Sequence, residues 1–170
     1  MNSESPFDNG AERQIPRIVI VGVGNLLLKD EGVGIHVIKH LQEMNLPTDI
    51  ELIDGGTAPD LIAYVKAGDK LIIVDSAKAG GEPGAVYRFL PEDLATDTGT
   101  LASAHELGVE LNLRLMSLMG NEPREIVIIG IEPKEIDWGT ELTTELEQKI
   151  PEIVKVILIE IGIDQTEIHT

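Results

Sequence analysis

Residues 22–34 of this chain read Gly22-Val23-Gly24-Asn25-Leu26-Leu27-Leu28-Lys29-Asp30-Glu31-Gly32-Val33-Gly34. The stretch follows an apolar run, Ile18 to Val21, and it leads into a helical pattern that starts at Val33. Glycines allow a backbone to turn tightly and to take positive φ. The segment therefore predicts a strand, a tight loop and a helix, with the acidic pair Asp30-Glu31 at the end of the strand.

The glycine spacing differs from that of a dinucleotide-binding loop. Such loops follow G-x-G-x-x-G, and the position of the third glycine is occupied here by Leu27. Two negative charges in the turn would also repel a pyrophosphate. The loop is therefore predicted to hold a metal ion or a proton rather than a phosphate.

Composition indicates a single domain with an aliphatic core. The chain has 170 residues, of which 42% are hydrophobic but only 3% aromatic, and it contains no cysteine. A length of this order supports a sizeable core, and the lack of cysteine excludes disulfides, thiolate metal sites and a cysteine nucleophile. No apolar run reaches the roughly 18 residues of a membrane span. We therefore expect a cytoplasmic protein with no membrane partner.

The net charge of the chain is strongly negative. The chain contains 30 acidic and 13 basic residues, which gives a formal net charge of −17. Proteins that bind nucleic acid use Lys and Arg to neutralise phosphates, so a nucleic-acid partner is not expected. A basic protein or a cation suits this surface better, although most of the acids need do no more than keep the protein soluble.

Hydrophobic patterns predict alternating strands and helices. Apolar runs without alternation are typical of strands covered by helices on both faces. The predicted strands are 18–23, 49–53, 71–74, 85–90 and 126–131, and the predicted helices are 33–44, 58–65, 103–119 and 142–161.

This order predicts a three-layer α/β/α fold with a mostly parallel, twisted, five-stranded sheet. The link between residues 77 and 84 is too short for a parallel crossover, so strand 85–90 is expected to be an antiparallel edge strand. The predicted domain spans residues 16–162, between a flexible N-terminal arm (1–15) and a C-terminal tail (163–170). Pro151 is expected either to kink the last helix or to begin a new one.

Three acidic residues follow predicted strands. Glu31, Asp54 and Asp75 come after the first, second and third strands, so all three should lie at the carboxyl end of the sheet. Open α/β sheets bind their ligands there, at the point where the strand order switches. His105 lies near the start of its predicted helix, where the helix dipole favours a neutral imidazole that can bind a metal.

Each of these residues also has a purely structural interpretation. Asp75 and Asp54 could cap the turns that follow them, and Glu31 could be an acid favoured at a helix start. A single histidine such as His105 is often an ordinary surface residue. Residue type and spacing alone leave these interpretations open.

Four segments together resemble the signature of the hydrogenase maturation endopeptidases. Residues 22–34 fit the pattern G-x-G-N-x-x-x-x-D-[DE]-G-x-G without a gap. Three further segments follow in the family's order: Asp54-Gly55-Gly56-Thr57, Val74-Asp75-Ser76-Ala77 and Ser103-Ala104-His105-Glu106-Leu107-Gly108. The resemblance extends from about Arg17 to Ile161.

The resemblance implies an endopeptidase of the aspartic type that removes the C-terminal extension of a nickel-iron hydrogenase large-subunit precursor after nickel insertion. The family's metal-contacting residues fall on Glu31, Asp75 and His105, which are also the expected catalytic residues. The substrate-binding segment falls on Asp54, Gly55, Gly56 and Thr57. The expected metal is Ni²⁺ carried by the substrate, for which other divalent ions could substitute. The expected partner is the large-subunit precursor, and the protein itself is expected to be a monomer.

Two other classes of protein share part of this pattern. A phospho-acceptor receiver module also has an acidic pair after its first strand, an aspartate ending the third strand and a lysine after the last, here Lys134. The glycine-rich turn and the His105 segment argue against that class. A Rossmann-like nucleotide binder is disfavoured by Leu27 and by the acids of the loop.

Overall fold

The computed structural model describes residues 16–94 and 104–163, and their side chains except those of residues 94 and 104–107. The predicted N-terminal arm lies outside the described residues, and so does the predicted C-terminal tail apart from Ile163. The domain boundaries therefore stay predictions.

Five strands form one sheet. They are β1 (Ile18–Val23), β2 (Ile50–Gly56), β3 (Lys70–Ser76), β4 (Val86–Phe89) and β5 (Glu125–Ile131). The order across the sheet is β2-β1-β3-β5-β4. β1 pairs in parallel with β2 and β3, β3 pairs in parallel with β5, and β4 is antiparallel to β5 at the edge. The predicted mostly parallel sheet with one antiparallel edge strand is confirmed.

Helices cover both faces of the sheet. They are α1 (Val33–Gln42), α2 (Leu61–Tyr64), α3 (Pro91–Leu94), α4 (Ala104–Leu118) and α5 (Thr144–Glu160), with a short 3-10 turn, Lys29–Gly32, before α1. α1 and α5 enclose one aliphatic core with alternate residues of the sheet. α2 and α4 enclose a second core on the opposite face. The predicted three-layer arrangement is therefore confirmed, since each strand presents alternate side chains to the two faces.

Several elements differ in length from the prediction. β2 and β3 extend through Asp54 and Asp75, because backbone pairing continues with Gly22 of β1 and with Gly130 of β5. The two acids thus lie within the last three residues of their strands rather than after them. α2 is a single turn, since Val65 is already extended and buries its side chain.

Pro151 lies inside α5, which is one continuous helix. The expected new helix start at the proline is therefore wrong, and a kink there stays a prediction. Ile150 and Ile153, on either side of the proline, are 1% and 0% exposed in the same core. Burial of both halves of the helix against one sheet face outweighs the loss of one backbone hydrogen bond.

Two glycines allow α1 to begin directly on the sheet. A Cβ at Gly34 would lie 2.1 Å from the carbonyl oxygen of Val74 and 2.4 Å from that of Val23. A Cβ at Gly22 would lie 2.3 Å from the carbonyl oxygen of Gly34. The start of α1 therefore contacts the backbone of β1 and β3 at their carboxyl ends, which leaves no room for a side chain.

We expect Gly34→Ala to lower the free energy of unfolding by about 3 kcal/mol, the upper part of the usual range for overpacking, because backbone rather than a flexible side chain must move. Gly108→Ala is the matched control. Gly108 is also helical, but nothing lies within 4 Å of its Cβ position. That change should raise stability by about 0.5–1 kcal/mol through helix propensity. Urea denaturation followed by circular dichroism measures both, and equal stabilities would contradict this account of the motif.

Candidate active site

The order of the strands places a switch point between β1 and β3. From β1 the chain moves outward to β2, then crosses to the other side of β1 to form β3. The connections at the carboxyl ends of β1 and β3 therefore diverge and leave a crevice, which is where open α/β sheets bind ligands. Glu31 follows β1 and Asp75 is the last residue but one of β3, so both lie at the end of the sheet where this crevice forms.

Glu31 lies in the 3-10 turn, which contacts β3. Its side chain is half-buried, and its backbone N–H donates to the carbonyl oxygen of Leu28 over 3.1 Å. Gly24 has φ +150°, and a Cβ there would lie 2.1 Å from the carbonyl oxygen of Glu31. Gly24 therefore permits the turn to fold back over the end of β1, and this fold sets the position of Glu31.

Asp30 has a different role from its neighbour. Its side chain is fully buried and accepts four hydrogen bonds. Oδ2 accepts from the backbone N–H groups of Lys134 and Glu135 and from Oγ1 of Thr143, and Oδ1 accepts from the N–H of Thr143, over 2.7 to 3.0 Å. The interpretation of Asp30 and Glu31 as one acidic pair is therefore wrong for Asp30, which holds the loop in place.

Sequence reasoning missed this role because the partners of Asp30 are 104 to 113 residues further along the chain. No spacing in the sequence connects them. The same two loops also pair through their backbones. The N–H of Lys29 donates to the carbonyl oxygen of Gly139 over 2.8 Å, and the N–H of Gly139 donates to that of Leu27 over 3.0 Å. The loop after β1 and the loop between β5 and α5 thus form one unit.

Asp75 is the sixth residue of β3 and is only 7% exposed. Its Oδ1 accepts a hydrogen bond from the N–H of Ser76 over 2.8 Å. Residues 71, 73 and 75 alternate along β3, so Asp75 lies on the same face of the sheet as Leu71 and Ile73. These two residues pack in the core under α2 and α4. Asp75 therefore belongs to the sheet face that α4 covers.

His105 is the second residue of α4, and its side chain lies outside the described part of the chain. Val109 and Met116 of this helix pack in the same core as Leu71 and Ile73. The backbone thus brings His105 and Asp75 to the same side of the sheet.

The structure describes the side chains of two of the three predicted metal ligands. Where side chains are described, no three His, Cys, Asp or Glu groups lie close enough together to hold a metal ion. That region includes Glu31 and Asp75 but not the imidazole of His105. The shared metal site of these three residues therefore stays a prediction.

The segment from Asp54 to Thr57 forms an open border of the crevice. Asp54 is exposed, and its Oδ1 accepts a hydrogen bond from the N–H of Gly56 over 3.0 Å. Gly56 has φ +57°, and nothing lies within 4 Å of its Cβ position. Because β1 lies between β2 and β3, Asp54 and Asp75 lie near the carboxyl ends of strands that are about 10 Å apart. Asp54 and Asp75 are therefore separated by a full strand, and the predicted substrate-binding role of residues 54–57 stays a prediction.

The fold is that of known α/β endopeptidases. The hydrogenase maturating endopeptidase HybD from E. coli superimposes with a TM-score of 0.76 at 26% identity, covering 90% of this chain and 95% of that one. HybD from Thermococcus kodakarensis, a [NiFe] hydrogenase maturation protease, gives a TM-score of 0.70 at 28% identity over 85% of this chain and 98% of its own.

The chain belongs to the hydrogenase maturation protease family. The family model with that description matches residues 35–160. HupD of Thiocapsa roseopersicina, a hydrogenase expression/formation protein, is 30% identical over 86% of this chain and 68% of its own length. The hydrogenase 2 maturation protease of Escherichia coli K12 is 30% identical over 84% and 88%.

Family membership confirms the predicted peptidase and decides against the receiver and the nucleotide binder. The matched range contains Asp54, Asp75 and His105, whereas Glu31 lies four residues before it. No helix in the described part of the chain is both long and apolar enough to cross a bilayer.

The two neighbouring acids of the loop should respond differently to substitution. Asp30→Ala leaves three backbone N–H donors and one hydroxyl without their acceptor, and it should lower the free energy of unfolding by about 3–5 kcal/mol. Glu31→Gln should leave stability unchanged or raise it slightly, because Glu31 accepts none of the hydrogen bonds that hold the loop and its neutral form removes one of several negative charges at this end of the sheet. Urea denaturation followed by circular dichroism separates the two. Similar losses in both variants would show that Glu31 is structural as well.

Proposed function

We propose that this protein removes the C-terminal extension of the large-subunit precursor of a nickel-iron hydrogenase, after nickel has been inserted. The proposal also assigns Glu31, Asp75 and His105 to recognition of that nickel, with the protein acting as a cytoplasmic monomer. The observation that supports it most is the position of Glu31 and Asp75 beside one crevice, at the ends of adjacent strands, in a chain of this protease family.

The chemistry of the three residues suits this role. Two carboxylates and one imidazole are ligands that a borderline divalent ion such as nickel or zinc accepts. Three protein ligands leave coordination positions for groups of the precursor, so the ion can bridge enzyme and substrate. Low exposure of Asp75 strengthens its attraction to a cation, because less water screens the charge.

The remaining features of the crevice fit a selective peptidase. The chain has no cysteine that could act as a nucleophile. A carboxylate beside the scissile bond can instead accept a proton from an attacking water. The open border at Gly56 lets an extended peptide approach the backbone, and Asp54 and Thr57 flank it with polar groups.

Glu31→Gln, Asp75→Asn and His105→Ala should each reduce processing of a nickel-loaded precursor by more than about 100-fold. Loss even of outer partners of a metal site costs 10- to 100-fold, and direct ligands should cost more. His40→Ala is the control, because His40 is an exposed histidine of α1. Loss of the C-terminal extension is followed on a gel. Full processing by two of the three variants would overturn the assignment.

Nickel in the precursor should be required for cleavage. A bridging ion supplies binding energy that a nickel-free precursor lacks, so the parent protein should cleave only the loaded form and should leave casein intact. The measurement compares loss of the extension with and without nickel in otherwise identical reactions. Equal cleavage of both forms would mean that the protein is a peptidase with another basis for selectivity.

A further inference from the structure

Two large apolar side chains project from the paired loops at the carboxyl end of the sheet. Leu27 is 55% exposed and Trp138 is 77% exposed. The N–H of Gly139, next to Trp138, donates to the carbonyl oxygen of Leu27 over 3.0 Å, and Leu28 and Gly139 form a parallel bridge. The two residues therefore occupy neighbouring backbone positions, and we call them the Leu27–Trp138 patch.

The backbone under the patch is firmly held. Asp30 fixes both loops through its four hydrogen bonds, and the ion pair of Lys29 with Glu135 joins them again at the surface. Trp138 is largely exposed to solvent on this fixed backbone, so its side chain does not contribute to the hydrophobic core. Adjacent exposed apolar residues of this kind mark interaction surfaces, where tryptophan often carries much of the binding energy.

The patch adjoins the proposed active site. Leu27 lies in the same loop as Glu31, and the carbonyl oxygen of the intervening Leu28 accepts the N–H of Glu31. A partner that brings a metal to Glu31 must therefore approach this loop. Because Leu27 and Glu31 are only four residues apart in one loop, a single partner can contact both.

We propose that the Leu27–Trp138 patch docks an apolar side chain of the large-subunit precursor during processing, which rests on the function proposed above. The size of the patch favours such a partner over a second copy of this chain. Two side chains bury about 400 Å² at most, half of the roughly 800 Å² that each partner contributes to a stable interface. A substrate that must leave after cleavage suits this smaller contact.

The charges around the patch indicate which residues should flank the docking side chain of the precursor. Glu135, Asp137 and Glu141 are exposed beside it, and the nearby lysines Lys29 and Lys134 are paired with Glu135 and Glu145. The carboxylates therefore outnumber the cations. The patch fits an apolar side chain flanked by basic residues, since opposite charges around the contact favour association.

The single tryptophan of the chain allows a direct test of contact. The protein is produced with 5-fluorotryptophan, so that Trp138 gives one ¹⁹F NMR signal while the unlabelled precursor gives none. Adding nickel-loaded precursor should shift or broaden this signal, and an excess of unlabelled parent protein should reverse the change. The proposal would be overturned if the signal stayed unchanged when precursor is added, or if it changed with the concentration of the protein alone.

Measurements of KM and kcat then distinguish an effect on substrate docking from an effect on the chemical step. Trp138→Ala should raise KM for the nickel-loaded precursor by roughly 30-fold with kcat unchanged, and Trp138→Phe should recover most of the loss. Leu118→Ala, which removes an 84% exposed leucine at the end of α4, is the control and should leave KM unchanged. All three variants should melt at the parent temperature.

The outcomes also separate this proposal from the one on which it rests. If the parent protein processes the precursor but Trp138→Ala keeps the parent KM, only the docking proposal fails. If the parent protein leaves the nickel-loaded precursor uncut, the proposed function fails and the docking proposal fails with it.

Discussion

The buried carboxylate of Asp30 is the interaction on which the functional end of this molecule depends. It accepts four hydrogen bonds from residues of the loop between β5 and α5, and so joins the loop after β1 to a segment more than 100 residues away. A buried charge is stable only when it is fully hydrogen-bonded, so the two loops adopt one defined arrangement. The positions of Glu31 and of the Leu27–Trp138 patch both follow from it.

The glycines of the same motif act through backbone contact. Gly22 and Gly34 let α1 begin against the ends of β1 and β3, and Gly24 makes room for the carbonyl group of Glu31. In a dinucleotide-binding loop, glycines allow the backbone to approach a pyrophosphate. Here the backbone approaches other backbone, and the same turn carries the half-buried acid Glu31. The motif therefore combines close packing with one chemical group.

Much of the site could be placed from the sequence, since the carboxyl ends of parallel strands meet at one edge of a sheet. The strands that carry Glu31 and Asp75 are neighbours in the sheet, and the peptidase class is confirmed by the family, whereas the roles of the site residues stay predictions. The separate roles of Asp30 and Glu31 could not be predicted, because two adjacent acids look alike until their surroundings are known. The solvent exposure of Trp138 could not be predicted either, since an isolated tryptophan in a sequence is as compatible with a core as with a surface.

By itself, the sequence determined the order of strands and helices, the antiparallel edge strand and the family, because apolar periodicity, loop length and motif order are local properties of the chain. The tertiary structure alone decided that β2 and β3 extend through Asp54 and Asp75, that α5 continues through Pro151, and that Asp30 is buried while Glu31 is not. Each of these outcomes depends on contacts between segments far apart in the chain. Their energies are comparable to or larger than the local preferences that they override.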